Sequence, residues 1–233
     1  MRKLARSLCV SVVAMTLVGV GSLPALASCD PSRSDDGLSY FDGWYRDPPG
    51  TYLAKAVYSS ILNYNPFVHS GANDTSAWSM LFLTGSKYYA QVGWLKSPNG
   101  TRNTFVEFVY LPDGRYRTDT FPPDSTGTYH TYKVTVRTRD GFVDYYDDGN
   151  DIDESPQFAD YNEGQIFGEI HTLANQMPGG KNNHMRFQGS HIFYNAGNHE
   201  FDGAPSSDLG TTYWNYNVVS TTELAIWDKA CDS

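Results

Sequence analysis

The sequence predicts an all-β protein, an antiparallel β-sandwich, and three observations carry that expectation. Short runs rich in Val, Ile, Tyr, Phe and Thr recur along the chain, turn residues separate them, and no stretch after the first 27 residues sustains a helical period over three turns. The runs are Tyr52–Tyr64, Ala77–Leu83, Tyr88–Lys96, Thr104–Leu111, Thr128–Arg139, Gly141–Tyr146, Gln165–Ala174 and His184–Tyr194. Between them lie Thr84-Gly85-Ser86-Lys87, Ser97-Pro98-Asn99-Gly100, Pro112-Asp113-Gly114 and Asp140-Gly141. Asn-Gly and Asp-Gly accept the positive φ of tight hairpins, so the connections read as antiparallel.

Residues 1–27 read as a signal peptide. Arg2, Lys3 and Arg6 precede an apolar stretch from Leu8 to Gly21, and Ala25-Leu26-Ala27 supplies a small-residue cleavage site. Residues 28–50 are polar and hold Pro48-Pro49, so they read as an irregular lead-in, and 51–233 as one sandwich domain. The expected location is extracellular and the expected state monomeric.

Export removes three cations and no acids. Lys+Arg falls from 17 to 14 against 26 Asp+Glu, a formal charge of −12 for the mature chain. So acidic a surface disfavours nucleic acid and anionic lipid as partners. Cys9 leaves with the signal, and the remaining Cys29 and Cys231 form an even pair in an oxidising compartment, so we expect a disulfide joining the two ends. The alternative is that Leu26-Ala27-Ser28-Cys29 acts as a lipobox, which lipidates Cys29 and ties the chain to a membrane.

Two polar residues stand inside apolar strand runs beside glycines: Gln91 in Tyr89-Ala90-Gln91-Val92-Gly93-Trp94, and Glu169 in Phe167-Gly168-Glu169-Ile170. Strand alternation puts Tyr89, Gln91, Gly93 and Leu95 on one face, and Ala90, Val92 and Trp94 on the other. It likewise groups Gln165, Phe167, Glu169, His171 and Leu173. A carboxylate and a carboxamide facing one cleft can activate water and hold an oxyanion. Alternation does not say whether the two strands share a sheet.

In order along the chain, Ala54-Lys55-Ala56 through Asn65-Pro66-Phe67-Val68, Trp78, Gly85-Ser86, Gln91-Val92-Gly93-Trp94 and Phe167-Gly168-Glu169 resemble the catalytic domain of neprosin-type glutamic peptidases. The strand order and spacing also look like the eqolisin peptidases. The resemblance spans roughly residues 50 to 200 and implies a concanavalin-like sandwich with the active site on a concave sheet face. It also implies a secreted endopeptidase acting on polypeptide at acidic pH without metal or cofactor. On this reading Glu169 is the general base and acid, and Gln91, at the eqolisin glutamine and the second neprosin glutamate, is the oxyanion donor. Tyr89, Trp94 and His171 become substrate-groove candidates. A non-enzymatic module binding extracellular glycan or peptide on an aromatic face is the other function the residues allow.

Further groups bear on metal and hydrolase chemistry. Asp144, Asp147, Asp148, Asn150, Asp151, Asp153 and Glu154 surround Gly149, offering oxygens for calcium but lacking EF-hand spacing, so a solvated acidic loop is expected. His184, His191 and His199 form no zinc-protease motif. No Gly-x-Ser-x-Gly elbow is present. A glucanase needs two carboxylates across one cleft, and Glu107 or Glu163 could partner Glu169, but no Glu-x-Asp-x-Glu run appears.

Overall fold

A computed structural model describes residues 33–46, 52–69, 71, 73–201, 204–207 and 212–231. The proposed signal peptide and Cys29 lie outside these residues. Among the described residues there is no helix, and the strands are β1 (Tyr40–Arg46), β2 (Ala54–Leu62), β3 (Thr75–Phe82), β4 (Tyr89–Lys96), β5 (Arg102–Val109), β6 (Tyr116–Phe121), β7 (Tyr129–Arg137) and β8 (Phe142–Asp147). They continue with β9 (Asn150–Pro156), β10 (Glu163–Ile170), β11 (Met185–Tyr194), β12 (Gly197–Glu200), β13 (Ser206–Ser207), β14 (Trp214–Ser220) and β15 (Glu223–Asp228).

Two antiparallel sheets form the sandwich. One has seven strands in the order β13-β1-β10-β3-β4-β5-β6; the other has eight, β14-β15-β11-β2-β7-β8-β9, with β12 paired to β11. Alternation explains the core. Ala77 and Leu81 of β3, Ala90, Val92 and Trp94 of β4, and Ile166 and Ile170 of β10 meet Val57, Ile61, Val134, Phe187 and Ile226 of the second sheet. The residues between them build a separate apolar cluster of Trp78, Met80, Leu95 and Phe167, flanked by Phe41, Phe82, Tyr89 and Phe105. The first sheet is therefore apolar on both faces, and its outer face carries a second, smaller layer.

Two parts of the chain depart from expectation. Tyr40–Arg46, inside the segment read as irregular, forms β1 and pairs with β10 along its length, Phe41 opposite Glu169. Its Trp44 is fully buried, and that tertiary burial overrides the surrounding Asp, Gly and Pro. The acidic stretch expected as a loop is the β8–β9 hairpin, turning at Asp148 and Gly149, both with positive φ. Arg137 bridges its Asp144 and Glu154 at 3.0 and 2.6 Å, so strand pairing and a cation hold these acids.

The two ends of the described residues are tied together. Arg33 Nη1 reaches Asp228 Oδ2 at 2.8 Å in a buried ion pair, and Nη2 donates to the buried Cys231 Sγ at 3.2 Å. The expected Cys29–Cys231 bond falls partly on an undescribed residue.

Candidate active site

Glu169 sits on β10, a strand buried at every position between β1 and β3. Ser76 lies directly across from it on β3. Glu169 Oε2 accepts from Trp78 Nε1 at 2.8 Å and from Ser76 Oγ at 3.2 Å, and Oε1 lies 3.4 Å from His171 Nε2. His171 is steadied on its far side, with Nδ1 2.9 Å from Ser39 Oγ. Burial raises the Glu169 carboxyl above its ordinary range, against the opposing pull of His171, Trp78 and Ser76.

Gln91 sits on β4, opposite Met80 of β3 and Glu107 of β5. Its Nε2 donates to Glu107 Oε1 at 3.2 Å. Tyr89 OH donates to the same oxygen in a short contact. Glu107 is itself raised, chiefly by burial and further by the charge of Glu169, while Tyr89 and Gln91 hold it down. Tyr89 is raised by its own burial and then by the Glu107 charge, so its hydroxyl stays a donor.

Gln91 and Glu169 thus belong to one face of one sheet, two strands apart, with Trp78 of the intervening β3 between their levels. Gln91 is 5% and Glu169 8% exposed, and both line a cleft of about 790 Å³ on the outer face. Phe41, Trp78, Tyr89, Phe167 and Tyr116 supply an apolar wall, while Asp74 and His171 add polar groups. Buried acids at the bottom of an open, aromatic-walled groove can transfer protons to a bound amide while a neighbouring carboxamide donates to oxygen.

The glycines in these two strands answer to packing. A Cβ at Gly93 would lie 1.9 Å from the Ala77 carbonyl oxygen, so this glycine permits close approach of β4 to β3. A Cβ at Gly168 would point away from Glu169 and meet Ile226 Cδ1 at 2.7 Å and the Pro178 ring at 3.1 Å.

Tyr89 and His171 line the cleft as expected. Trp94 does not. Its position one step out of phase with Gln91 turns it into the inter-sheet core, where it is 1% exposed and donates Nε1 to the Leu62 carbonyl at 3.2 Å. Glu163 lies outside the cleft wall, bound by Thr84 Oγ1 at 2.8 Å and by Gln165 Nε2. Glu107, weighed from sequence only as a glucanase acid, is instead the partner of Gln91. A charge alternating with Phe105 and Val109 inside an apolar strand was its one sequence signal.

No family model and no curated protein matches the chain. Solved structures do. Scytalido-glutamic peptidase, in a structure titled as holding a peptide-based transition-state analogue, superposes with a TM-score of 0.62 at 12% identity, over 82% of this chain and 98% of that one. SCP-B, described as a member of the eqolisin family of peptidases in complex with the tripeptide Ala-Ile-His, gives 0.59 at 11%, with the same coverage.

The fold is that of the eqolisins. At this identity the likeness concerns architecture: two antiparallel sheets stacked as a sandwich, spanning nearly the whole of each eqolisin-fold chain.

Proposed function

We propose that the chain is a secreted glutamic endopeptidase in which Glu169 activates water and Gln91 stabilises the oxyanion. The observation that carries this reading is the placement of both residues at the base of one open cleft. There Glu169 is buried, raised and held by three side chains, and Gln91 is oriented by Glu107. The eqolisin fold and the peptide ligands of its solved examples support a polypeptide substrate. Glutamine at position 91 follows the eqolisin pattern rather than the neprosin glutamate.

Ionised Glu169 accepts a proton from water, and the hydroxide adds to the peptide carbonyl carbon. Gln91 Nε2 carries two hydrogens; one serves Glu107 and the other faces the developing oxyanion. Glu169 then returns its proton to the amide nitrogen, the C–N bond breaks, and acid and amine leave. A carboxamide donates at any pH, whereas a carboxylate at position 91 must first be protonated. Every atom in this cycle comes from water, substrate or the two side chains.

The test is digestion of an unbiased peptide mixture by the purified mature protein from pH 2 to 8, with Glu169→Gln, Gln91→Ala and chelator controls. We expect cleavages that survive chelation, vanish in Glu169→Gln, and slow by about 10²- to 10³-fold in Gln91→Ala. Folded Glu169→Gln protein retaining full activity would overturn the assignment.

A further inference from the structure

A second constellation lies away from the cleft, where the chain crosses from the first sheet to the second. Residues 122–128 link β6 at one sheet's edge to β7 in the other, and Asp124 stands in that crossover. His130 is near the start of β7, and Asp147 ends β8. One ligand-capable atom from each of Asp124, His130 and Asp147 lies within 4.8 Å of the others. We propose that Asp124, His130 and Asp147 bind a divalent cation of the zinc class, which ties the inter-sheet crossover to the β7–β8 hairpin.

The hydrogen bonds around the cluster orient its ligand atoms toward one another. Thr128 Oγ1 donates to the Ser125 carbonyl at 2.6 Å, so its hydrogen is already committed. Its 2.8 Å contact with His130 Nε2 is therefore an N–H donated by the imidazole. Nδ1 faces the carboxylates, 2.8 Å from Asp148 Oδ2, and a cation would bind there in place of the Nδ1 proton, with Nε2 fixed by an oxygen acceptor as metal-bound histidines require. Asp124 is oriented in the same way, since its Oδ2 accepts from Tyr132 OH at 2.8 Å and Thr104 Oγ1 at 3.0 Å.

The distances suit a small ion. Asp124 Oδ1 and Asp147 Oδ1 lie 3.5 and 3.9 Å from His130 Nδ1. Tetrahedral zinc with ligands at about 2.1 Å places ligand atoms about 3.4 Å apart. Asp147 Oδ1 is shut off from solvent 3.9 Å from the imidazole, and Asp147 shares a hydrogen bond with Asp124, so a cation would take the place of the shared proton. Asp148 Oδ2 adds a third carboxylate 2.8 Å from Nδ1. Three acids face one imidazole here, so a dication suits the cluster's charge. Two carboxylates and an imidazole leave a fourth position for water, and this mixed oxygen–nitrogen set suits zinc or manganese.

The test is calorimetric titration of chelator-stripped, dialysed full-length mature protein with ZnCl₂ at pH 7. Thermal melts and the visible spectrum with CoCl₂ accompany it. We expect one equivalent bound, a higher Tm with zinc, and the intense visible bands of four-coordinate cobalt. Asp147→Asn and His130→Gln should each weaken binding at least about tenfold. Asp153→Asn, on the same hairpin but outside the triad, should bind as the parent does. No stoichiometric binding, or equal binding in both triad variants, overturns the proposal. If a triad variant fails to fold, the parent's cobalt spectrum decides: bands of hexa-aquo type reject the site.

Discussion

Trp78 Nε1 donates to Glu169 Oε2 at 2.8 Å, from the strand that lies between Glu169 and Gln91. This indole does two jobs with one side chain. Its ring belongs to the apolar layer on the outer sheet face, and its one polar atom holds the ionised form of the buried acid. Trp78→Phe keeps most of the packing and removes the donor. We expect kcat to fall about tenfold or more, since a hydrogen bond to a charged group contributes about 1.5–3 kcal/mol. The acidic limb of the kcat/KM profile should move to higher pH, because the carboxylate loses a stabilising donor. A lower rate with an unmoved limb would assign Trp78 a packing role only.

Glu107 fixes the Gln91 amide by accepting from its Nε2. Glu107→Gln keeps an acceptor and drops the charge, whereas Glu107→Ala frees the carboxamide to rotate. We expect the alanine variant to lose kcat about 10- to 100-fold, with KM changing much less, and the glutamine variant to lose considerably less. Equal losses in the two variants would reject the orienting role.

Stability should increase on acidification from neutral pH. Glu169, Glu107 and Asp228 all have carboxyls raised in the folded protein, the last because burial outweighs its Arg33 partner. A raised acid binds its proton more tightly when folded. Its stabilising contribution is complete below the ordinary carboxylate range and is lost as pH rises through the folded-state value. Asp144, Asp147 and Asp153 are raised as well, while surface Asp36 and Asp113, half-buried Asp124 and the lowered imidazole of His184 act in the opposite sense and are outnumbered. Tm measured from pH 7 down to pH 4.5 should therefore climb, and Glu169→Gln should flatten the slope. A Tm that falls steadily over that interval contradicts the expectation.

Gly93 tolerates no side chain. The missing Cβ would stand 1.9 Å from the Ala77 carbonyl oxygen, a backbone atom that cannot swing aside. Gly93→Ala should destabilise the fold by about 1–3 kcal/mol or more, read as a fall in the urea midpoint. Gly100→Ala is a useful comparison. There a Cβ would meet nothing within 4 Å, and the cost comes only from a φ of 85°.

Much of the architecture was legible because a half-buried strand writes its period directly into the sequence. Tyr88–Lys96 and Gln165–Ala174 match β4 and β10 to within a few residues, and alternation grouped Tyr89 with Gln91 and Phe167 with Glu169 correctly. The same alternation already set Trp94 on the opposite face. Trp94 therefore belongs to the core and not to the groove. β1 was hidden because its strand character comes from pairing with β10 and burying Trp44, and the local Asp-Gly sequence shows neither. The β8–β9 hairpin was hidden by charges that Arg137 offsets from β7.

By itself the sequence determined the sandwich class, the strands that bear Gln91 and Glu169, and the side of each strand they occupy, because these depend on a two-residue period and nearby turns. Only the tertiary structure decided that β10 and β4 flank the same β3, that Trp78 and Ser76 reach Glu169, and that Glu107 faces Gln91. It alone brought Asp124 from the crossover to His130 and Asp147. Strand order and register join residues as distant as Ser76 and Glu169, 93 positions apart, or farther, and no local pattern encodes such pairings, since they are set by which apolar faces pack together.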